Sequence, residues 1–207
     1  MSVPLSYFTD KYDRSPDPWS LDSRWYDRRK YQLTVASLPR PSYRRAFEPA
    51  CSVGVLTEML APRCESLLAT DAVPAAVDAA RARVAHLPHV SVAQQRVPED
   101  WPDGRFDLIV LSELGYYLPA EHVRRLGVLA AESLDNDGAL VAVHWRHRIE
   151  DLPLTGDDVH AIIAATAGIE RLGGYADHDV LIDVFVPAPA ISVAAAENLI
   201  EPDERRR

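Results

Sequence analysis

Short apolar runs alternate with segments of helical periodicity along most of this chain. The runs that predict strands lie near residues 45–49, 66–70, 90–93, 106–111 and 139–143. Apolar residues spaced three or four apart predict helices over about 53–61, 74–87 and 120–134. The run at 106–111 is the most strongly apolar, which is typical of a strand buried in a parallel sheet. Strands and helices that alternate in this way predict an α/β fold.

The pattern changes near the C-terminal end. A helix is predicted over Thr155–Ala167, capped by Thr155 or Asp157, and strands are predicted near 170–175 and 180–186. Because the short segment Asp177–Asp179 joins these two strands, we expect them to pair antiparallel. The sequence therefore predicts a Rossmann-like, doubly wound sheet of about seven strands, mostly parallel with an antiparallel last strand.

Turn-forming residues mark the breaks between elements. Pro4, Pro16 and Pro18 are expected to prevent regular structure in the first 20 residues, and Asn136–Gly138 predicts a turn before the fifth strand. Proline at 39 and 41 ends the helix that precedes the first strand.

That helix is predicted from about Arg24 to Ser37. Asp22 and Ser23 are its candidate caps, and its apolar periodicity is moderate. The face predicted to point inward carries Trp25, Arg29, Leu33 and Ala36. We therefore expect one domain over residues 1–186, with an N-terminal lid at 1–38 and a core at 45–186. Residues 187–207 are expected to form a loosely packed tail with one short helix near Val193–Leu199.

Composition narrows the classes of protein. The chain has 207 residues, of which 47% are hydrophobic, and this is enough for one full core. A formal charge of −9 argues against nucleic acid or an anionic membrane as a partner. Cys51 and Cys64 are too few for a disulfide framework, and the histidines show no metal-ligand spacing, so no metal is expected. No secretory signal or membrane-spanning run is evident, which favours a cytoplasmic location.

The turn after the first predicted strand is built from small residues. It reads Glu48-Pro49-Ala50-Cys51-Ser52-Val53-Gly54. This resembles the pattern Glu/Asp-x-Gly-x-Gly-x-Gly, with alanine and serine in place of the first two glycines. Seventeen residues after Gly54, Asp71 ends the second strand. A carboxylate at that position lies beside the first turn and can accept hydrogen bonds from both hydroxyls of a ribose. The two features together predict a nucleoside-containing cofactor.

The residue types in the turn indicate which cofactor. A pyrophosphate would favour Gly-x-Gly-x-x-Gly, whereas Glu48 beside this turn suits a cation. S-adenosylmethionine carries a sulfonium and an ammonium and has no phosphate. A nicotinamide-dependent oxidoreductase on the same strand order is disfavoured by the missing glycine spacing, and a cofactor-binding module without catalysis stays open because Ala50 and Arg96 depart from the usual pattern.

Residues directly after the other strands are the remaining candidates, because ligands gather at the carboxyl ends of such sheets. Candidate cofactor contacts are Ala72, Arg96, Val97 and Ser112. Glu113 and His144 are candidate proton acceptors, since either has the chemistry to take an amine proton. Aromatic side chains that could line an acceptor pocket are Tyr116, Tyr117 and Trp145.

Several of these blocks together resemble the nodulation protein S family of class I methyltransferases. The likeness covers about residues 7–186 and is most distinctive in Glu48-Pro49-x-Cys51-Ser52-x-Gly54 and Ser112-Glu113-x-Gly115-Tyr116-Tyr117. The resemblance implies methyl transfer from S-adenosylmethionine to nitrogen, and the named member acts on the free amine of a deacetylated chitooligosaccharide. It also implies that Trp25 belongs to a lid over the cofactor and that Arg29 meets the cofactor carboxylate.

The sequence thus predicts an enzyme that methylates the amine of a small molecule, for example an amino sugar or a deacetylated oligosaccharide. Ala50, Cys51 and Ser52 are expected to contact the cofactor through the turn. A small-molecule O-methyltransferase is the alternative. The acceptor's identity and the oligomeric state stay open.

Overall fold

A computed structural model of the chain describes residues 3–200. Seven strands form one sheet in the order β3-β2-β1-β4-β5-β7-β6. The strands are β1 Ala46–Pro49, β2 Leu67–Asp71, β3 Val90–Gln94, β4 Phe106–Ser112, β5 Leu134–Trp145, β6 Ile169–Ala176 and β7 Val180–Pro187. The helices are α1 Leu5–Arg14, α2 Trp25–Ser37, α3 Val55–Leu60, α4 Pro74–Val84, α5 Ala120–Ser133, α6 Gly156–Ala164 and α7 Val193–Ala196.

The sheet is parallel except for β7. β1 pairs in parallel with both β2 and β4, so the chain reverses its direction of winding at β1. β7 pairs antiparallel with β5 and with β6, which confirms the predicted antiparallel last strand. Open sheets of this kind bind ligands where the winding reverses, at the carboxyl ends of the strands. This edge is formed here by the ends of β1, β2 and β4.

Helices cover both faces of the sheet. On one face α5 and α6 pack through Val123, Leu126 and Val159 against a core that includes Phe106 and Leu140. On the other face Tyr31 of α2 and Leu56 and Leu60 of α3 pack on Leu108 and Val141. Every residue of β4 is buried, as expected for a central strand with helices on both sides.

Local signals explain several of the boundaries. Thr155 caps α6 with a capping box, in which its side chain accepts from the Asp158 amide and the Asp158 side chain accepts from the Thr155 amide. This confirms Thr155 as the predicted cap. Pro74 occupies the first turn of α4, where a missing N–H costs nothing.

The structure corrects some predicted elements. Residues 5–14 form a helix, because Pro4 lies at its N-cap and Pro16 follows its end, so neither proline interrupts it. The predicted turn at 136–138 lies within β5, as a register shift against β4 that takes up the extra residues between Leu134 and Ala139. The C-terminal helix is confined to α7, and residues 201–207 of the predicted tail lie outside the described residues.

The orientation of α2 also differs from the prediction. Its buried residues are Asp27, Lys30, Tyr31 and Thr34, and Trp25 is 68% exposed. No side chain caps the helix, although Asp22 and Ser23 were the predicted caps. Polar residues thus occupy the buried face, which the search for apolar residues could not identify. Between residues 3 and 200, no helix combines the length and the apolar character needed to cross a bilayer.

Candidate functional site

A cavity of about 500 Å³ opens at the carboxyl edge of the sheet. Its volume falls within the range of about 300–1,000 Å³ that is usual for small-molecule sites. The predicted site residues that line it are Glu48, Ala50, Cys51, Ser52, Asp71, Ala72, Arg96, Val97, Ser112, Glu113, Tyr116, Tyr117 and Trp145. The fold therefore brings together residues from the ends of β1, β2, β3, β4 and β5.

The turn after β1 has an unusual backbone. Ala50, Ser52 and Gly54 all have positive φ, at 58°, 52° and 77°. These are the three positions at which glycine would be the unstrained residue. Gly54 does not line the cavity; a Cβ on it would come within 3.1 Å of Ala80, so its role is to let α3 pack closely on α4. Ala50 and Ser52 therefore adopt the left-handed backbone conformation that normally favours glycine, although both carry a side chain.

Asp71 joins this turn to the end of β2. Its Oδ2 accepts from the Ser52 amide at 3.0 Å, and its Oδ1 accepts from the Val73 amide at 2.9 Å. Burial raises the pKa of Asp71, and the bonds from backbone amides act in the opposite direction. Each carboxylate oxygen has a second lone pair. Asp71 can therefore hold the turn and still accept hydrogen bonds from a ligand.

Glu48 lies at the base of the same turn. It is 2% exposed, and its Oε2 has no hydrogen-bond partner among the described residues. Burial raises the pKa of Glu48 to about 8. A buried carboxyl group without a partner is costly unless a ligand satisfies it, and a cationic ligand would do so best.

Gln95, which follows β3, also presents an unpartnered buried acceptor. Its Oε1 has no partner within residues 3–200, although Gln95 lines the cavity. The neighbouring Arg96 amide donates to Asp100 at 3.0 Å, so that amide is not available to a base. Gln95 is thus a site candidate that the sequence did not single out. Its position after a strand was the only available signal.

The other end of the cavity is organised around Lys30 of α2. Lys30 is 2% exposed, and its Nζ donates to Asp27 at 2.9 Å and to Glu113 at 3.1 Å. Burial would lower the pKa of Lys30, but the two carboxylates outweigh it and the pKa is raised. The ammonium also lies over the rings of Tyr26 and Tyr31. Lys30 is therefore a charged group fixed inside the cavity wall.

Glu113 is the centre of this network. It has a positive φ of 55°, and its Oε2 accepts from the Tyr116 hydroxyl and, at 3.3 Å, from the Trp145 amide. Together with the bond from Lys30, three of its roughly four acceptor positions are used. Backbone conformations of this type in non-glycine residues concentrate at functional sites.

The sequence singled out neither Lys30 nor Asp27. On a helix, residues three or four positions apart share a face, so the buried polar set at 27, 30, 31 and 34 has a regular spacing. That spacing was the signal that could have found Lys30. The prediction relied on apolar residues and therefore followed the opposite face.

Four predicted site residues lie outside the cavity lining: Gly54, described above, and Trp25, Arg29 and His144. Trp25 points to solvent, and Arg29 donates to Asp177 at 2.8 Å and to the Tyr175 hydroxyl at 2.6 Å. His144 is fully buried behind the cavity and accepts from the Gly115 amide at 3.1 Å. The arginine of this region that does line the cavity is Arg24, and no ion pair of Arg24 is found in the described part of the chain.

The N-terminal segment forms the remaining wall. Phe8, Tyr12 and Trp19 line the cavity, and the Tyr12 and Ser52 hydroxyls are 2.6 Å apart. Burial raises the pKa of Tyr12. Helix α1 therefore lies over the turn and forms part of the cavity wall. The described residues contain no group of His, Cys, Asp and Glu side chains arranged to hold a metal ion.

This strand order, with β7 reversed and a cavity at the ends of β1, β2 and β4, defines the class I methyltransferase fold. The model of the nodulation protein S (NodS) family matches residues 9–150, and the chain belongs to that family.

Individual proteins agree with this assignment. The crystal structure of the N-methyltransferase NodS from Bradyrhizobium japonicum WM9 with S-adenosyl-L-homocysteine is 25% identical and superposes with a TM-score of 0.76, over 87% of this chain and 98% of that one. A candidate methyltransferase from Pseudomonas syringae is 46% identical, with a TM-score of 0.70, over 78% of this chain and 99% of that one.

The curated relatives match over a shorter stretch. Nodulation protein S from Rhizobium tropici is 38% identical over 103 residues, which is 49% of this chain and 43% of that protein. A second, from Bradyrhizobium diazoefficiens, is 36% identical over 49% of each chain. This chain thus aligns with about half the length of the curated relatives it matches.

Proposed function

We propose that this chain is an S-adenosylmethionine-dependent methyltransferase that methylates the amine of a small molecule, with an amino sugar or a deacetylated oligosaccharide as the acceptor. One observation carries the proposal. Two acidic residues, the buried Glu48 and the partly buried Asp71, face the same cavity across a turn of small residues, and Glu48 has an oxygen without a partner among the described residues. A cation that also contains a ribose fits such a pair. The solved NodS structure that contains S-adenosyl-L-homocysteine supports this choice.

The cavity residues suit each part of this cofactor. Asp71 accepts from the ribose hydroxyls, and Gln95 Oε1 accepts from the adenine amino group. Glu48 receives the ammonium, and Arg24, which reaches the cavity without an ion pair in the described chain, meets the carboxylate. In this assignment, Arg24 takes the role that the resemblance implied for Arg29.

The acceptor binds at the Glu113 end. Tyr26, Tyr116, Tyr117 and Trp145 form aromatic walls there, and the Tyr26 hydroxyl is buried without a partner in the described chain. Aromatic faces and isolated hydroxyl groups are suited to sugar rings and to cationic amines. The walls also exclude water from the amine.

Glu113 is the best placed proton acceptor. Its three hydrogen bonds leave about one acceptor position, which an amine N–H can fill. His144 cannot act in this way, because its Nε2 lone pair already accepts from the Gly115 amide. S-adenosylmethionine, when bound, supplies a methyl group activated by the sulfonium. Glu113 and the aromatic walls would hold the amine in line with that methyl group, and Glu113 would accept the proton that the amine loses.

The first experiment tests the cofactor assignment. Binding of S-adenosyl-L-homocysteine is measured by calorimetry for wild type, Asp71→Asn and Asp78→Asn. Asp78 is an exposed aspartate on α4 and is the matched control. Asp71→Asn removes the charge and places an N–H₂ group against the Ser52 or Val73 amide, so binding is expected to weaken about 100-fold or more. Unchanged affinity in Asp71→Asn, with circular dichroism showing a folded protein, would overturn the proposal.

The second experiment tests the acceptor. Methyl transfer is followed by mass spectrometry with glucosamine and deacetylated chitooligosaccharides, and with N-acetylglucosamine as the control that lacks a free amine. We expect methyl transfer only to the acceptors with a free amine. In Glu113→Gln, the rate of this transfer should fall about 100-fold or more. Methylation of a hydroxyl would instead indicate an O-methyltransferase. Cofactor binding without turnover on any acceptor would indicate a binding module.

A further inference from the structure

A line of buried polar side chains runs from the acceptor end of the cavity into the sheet. His144 at the end of β5 accepts from the Gly115 amide through Nε2 at 3.1 Å, and its Nδ1 lies 3.1 Å from Nε2 of His160 on α6. His160 Nδ1 lies 2.7 Å from Oδ2 of Asp183 on β7. The exposed fractions of His144, His160 and Asp183 are 0%, 3% and 6%.

Both ends of this line fix the positions of its protons. A backbone amide can only donate, so Nε2 of His144 carries no proton and its Nδ1 does. That Nδ1–H donates to Nε2 of His160, whose own Nδ1–H then donates to Asp183. An ionised carboxylate can only accept, which agrees with the direction set at the other end. One arrangement of protons therefore satisfies every bond.

The charges of these groups are consistent with this arrangement. Burial lowers the pKa of His144 well below its ordinary value, and His160 and Lys30 act in the same direction, so His144 is neutral near pH 7. Burial would raise the pKa of Asp183, but hydrogen bonds from His160 and Arg171 hold it below its ordinary value. Asp183 is therefore ionised and His144 is neutral.

The glycine at the cavity end has no space for a side chain. A Cβ on Gly115 would lie 2.4 Å from Val159 Cγ1 and 3.1 Å from His144 Nε2. Gly115 begins the short 3-10 turn Gly115–Tyr117, which carries both acceptor-facing tyrosines directly after Glu113. The direction of the Gly115 amide therefore sets the direction of this turn.

We propose that His144, His160 and Asp183 are positioning residues: a hydrogen-bond relay that orients the Gly115 amide and, through the 3-10 turn, the Tyr116 and Tyr117 walls of the acceptor pocket. The relay's role in acceptor binding rests on the proposed function, whereas the relay itself is a property of the free protein. None of its three members touches the cavity, which separates this role from that of Glu113.

The test uses Asp183→Asn. An asparagine that donates to His160 reverses both imidazoles and places an N–H of His144 against the Gly115 amide. An asparagine that accepts from His160 instead turns its amide N–H₂ towards Arg171, which can only donate. The control is Asp179→Asn at the start of β7. Asp179 also pairs with a histidine, His147, at 2.7 Å, but the pair is exposed and does not contact Gly115.

Two readouts require no acceptor. The ¹⁵N spectrum of wild type should show His144 protonated at Nδ1 only, and hydrogen exchange at the Gly115 amide should be about tenfold faster or more in Asp183→Asn than in Asp179→Asn, as expected for one lost hydrogen bond. An Nε2-protonated His144 in wild type overturns the relay, and so does equal exchange in the two variants when the ¹⁵N spectrum of Asp183→Asn shows His144 protonated at Nε2. These results hold whether or not the chain transfers methyl groups.

The third readout tests the role in acceptor binding. KM for the amine acceptor should rise about tenfold in Asp183→Asn, with Kd for S-adenosyl-L-homocysteine within about twofold of wild type. A variant that loses cofactor affinity equally, or that keeps its acceptor KM, would show that the relay only supports the fold.

Discussion

The two ends of the cavity satisfy their polar groups in different ways. At the cofactor end, Glu48 Oε2 and Gln95 Oε1 have no partners among the described residues. At the acceptor end, Lys30 binds two carboxylates, and Glu113 holds Lys30, Tyr116 and the Trp145 amide. The first end presents acceptors that a ligand must satisfy, whereas the second end, apart from the Tyr26 hydroxyl, is organised by its own side chains.

This difference shows where the specificity of each end originates. The cofactor end depends on the backbone turn and on single residues at strand ends, so one substitution affects one ligand contact. The acceptor end is a network, so one substitution affects several residues at once. Four predictions test this contrast, beginning with the largest expected effect.

Lys30→Met breaks the acceptor network at its centre. It leaves the buried Asp27 and the partly buried Glu113 without their cation, and breaking such a pair typically costs about 3–5 kcal/mol of unfolding free energy. Urea denaturation measures the loss, and Arg28→Met on the exposed face of α2 is the control, expected within about 0.5 kcal/mol of wild type. A loss in Lys30→Met no larger than in the control would show that the network does not organise this end.

Glu48 gives the cofactor end a pH dependence. Its carboxyl keeps a proton in the folded chain up to about pH 8, whereas the unfolded chain releases it near pH 4.5. Stability should therefore fall as pH rises from 4.5 to about 8, by at most about 1.4 kcal/mol per pH unit, and level off above it. Glu48→Gln should remove this component of the slope, as measured by urea denaturation from pH 5 to 9.

The control for this experiment is Glu121→Gln on the exposed surface of α5, which should keep the wild-type slope. The same slope in Glu48→Gln and in wild type would contradict the raised pKa. Cofactor binding near pH 7 should also release protons, because the ammonium favours ionised Glu48. Calorimetry in buffers of different ionisation enthalpy detects this release.

Arg24 lines the cavity and Arg29 does not, so the two arginines can be compared directly. Arg24→Met should weaken S-adenosyl-L-homocysteine binding by about 10- to 100-fold, the equivalent of a hydrogen bond to a charged group. Arg29→Met removes an ion pair with Asp177 and should leave the affinity within about twofold, since such partly exposed pairs contribute little. Calorimetry measures both. Equal losses of affinity in the two variants would indicate that Arg29 also contacts the cofactor.

Ala50→Gly tests the strain in the turn. Because Ala50 has a φ of 58°, glycine should relieve the backbone by about 1–2 kcal/mol, which equals or exceeds the cost of about 0.4–1 kcal/mol for its greater freedom in the unfolded chain. Its unfolding free energy should therefore equal or slightly exceed that of wild type. Ala82→Gly, in the exposed interior of α4, should lose about 1 kcal/mol in the same urea titration. Equal losses in the two variants would show that the turn is unstrained.

Much of the cofactor end could be predicted because its signals are local. Strands and helices follow from hydrophobic periodicity, and residues directly after parallel strands necessarily gather at one edge. Glu48, Ser52 and Asp71 were identified in this way. The three glycine-like positions at 50, 52 and 54 keep left-handed backbone even where the residue is alanine or serine, because the turn geometry requires it.

The acceptor end depends on long-range contacts. Adjacent residues on a helix point about 100° apart, so choosing the wrong face of α2 exchanges Arg29 for Lys30. The buried face of α2 is largely polar, so hydrophobic periodicity could not show which face points inward. In the folded chain, packing on the sheet and the bond from Lys30 to Glu113 fix that face. In the same way, His144, His160 and Asp183 are far apart in the sequence and meet only when α6 packs over β5 and β7.

The sequence by itself determined the order of the elements from α2 to β7, the edge where the cavity lies and the acidic residues at the ends of β1 and β2, because each depends on neighbours a few positions away. Only the tertiary structure decided which side of α2 faces the cavity, which histidine accepts a hydrogen bond from a backbone amide and which two carboxylates pair with Lys30. These contacts join distant segments, and their geometry is set by how helices pack on a sheet.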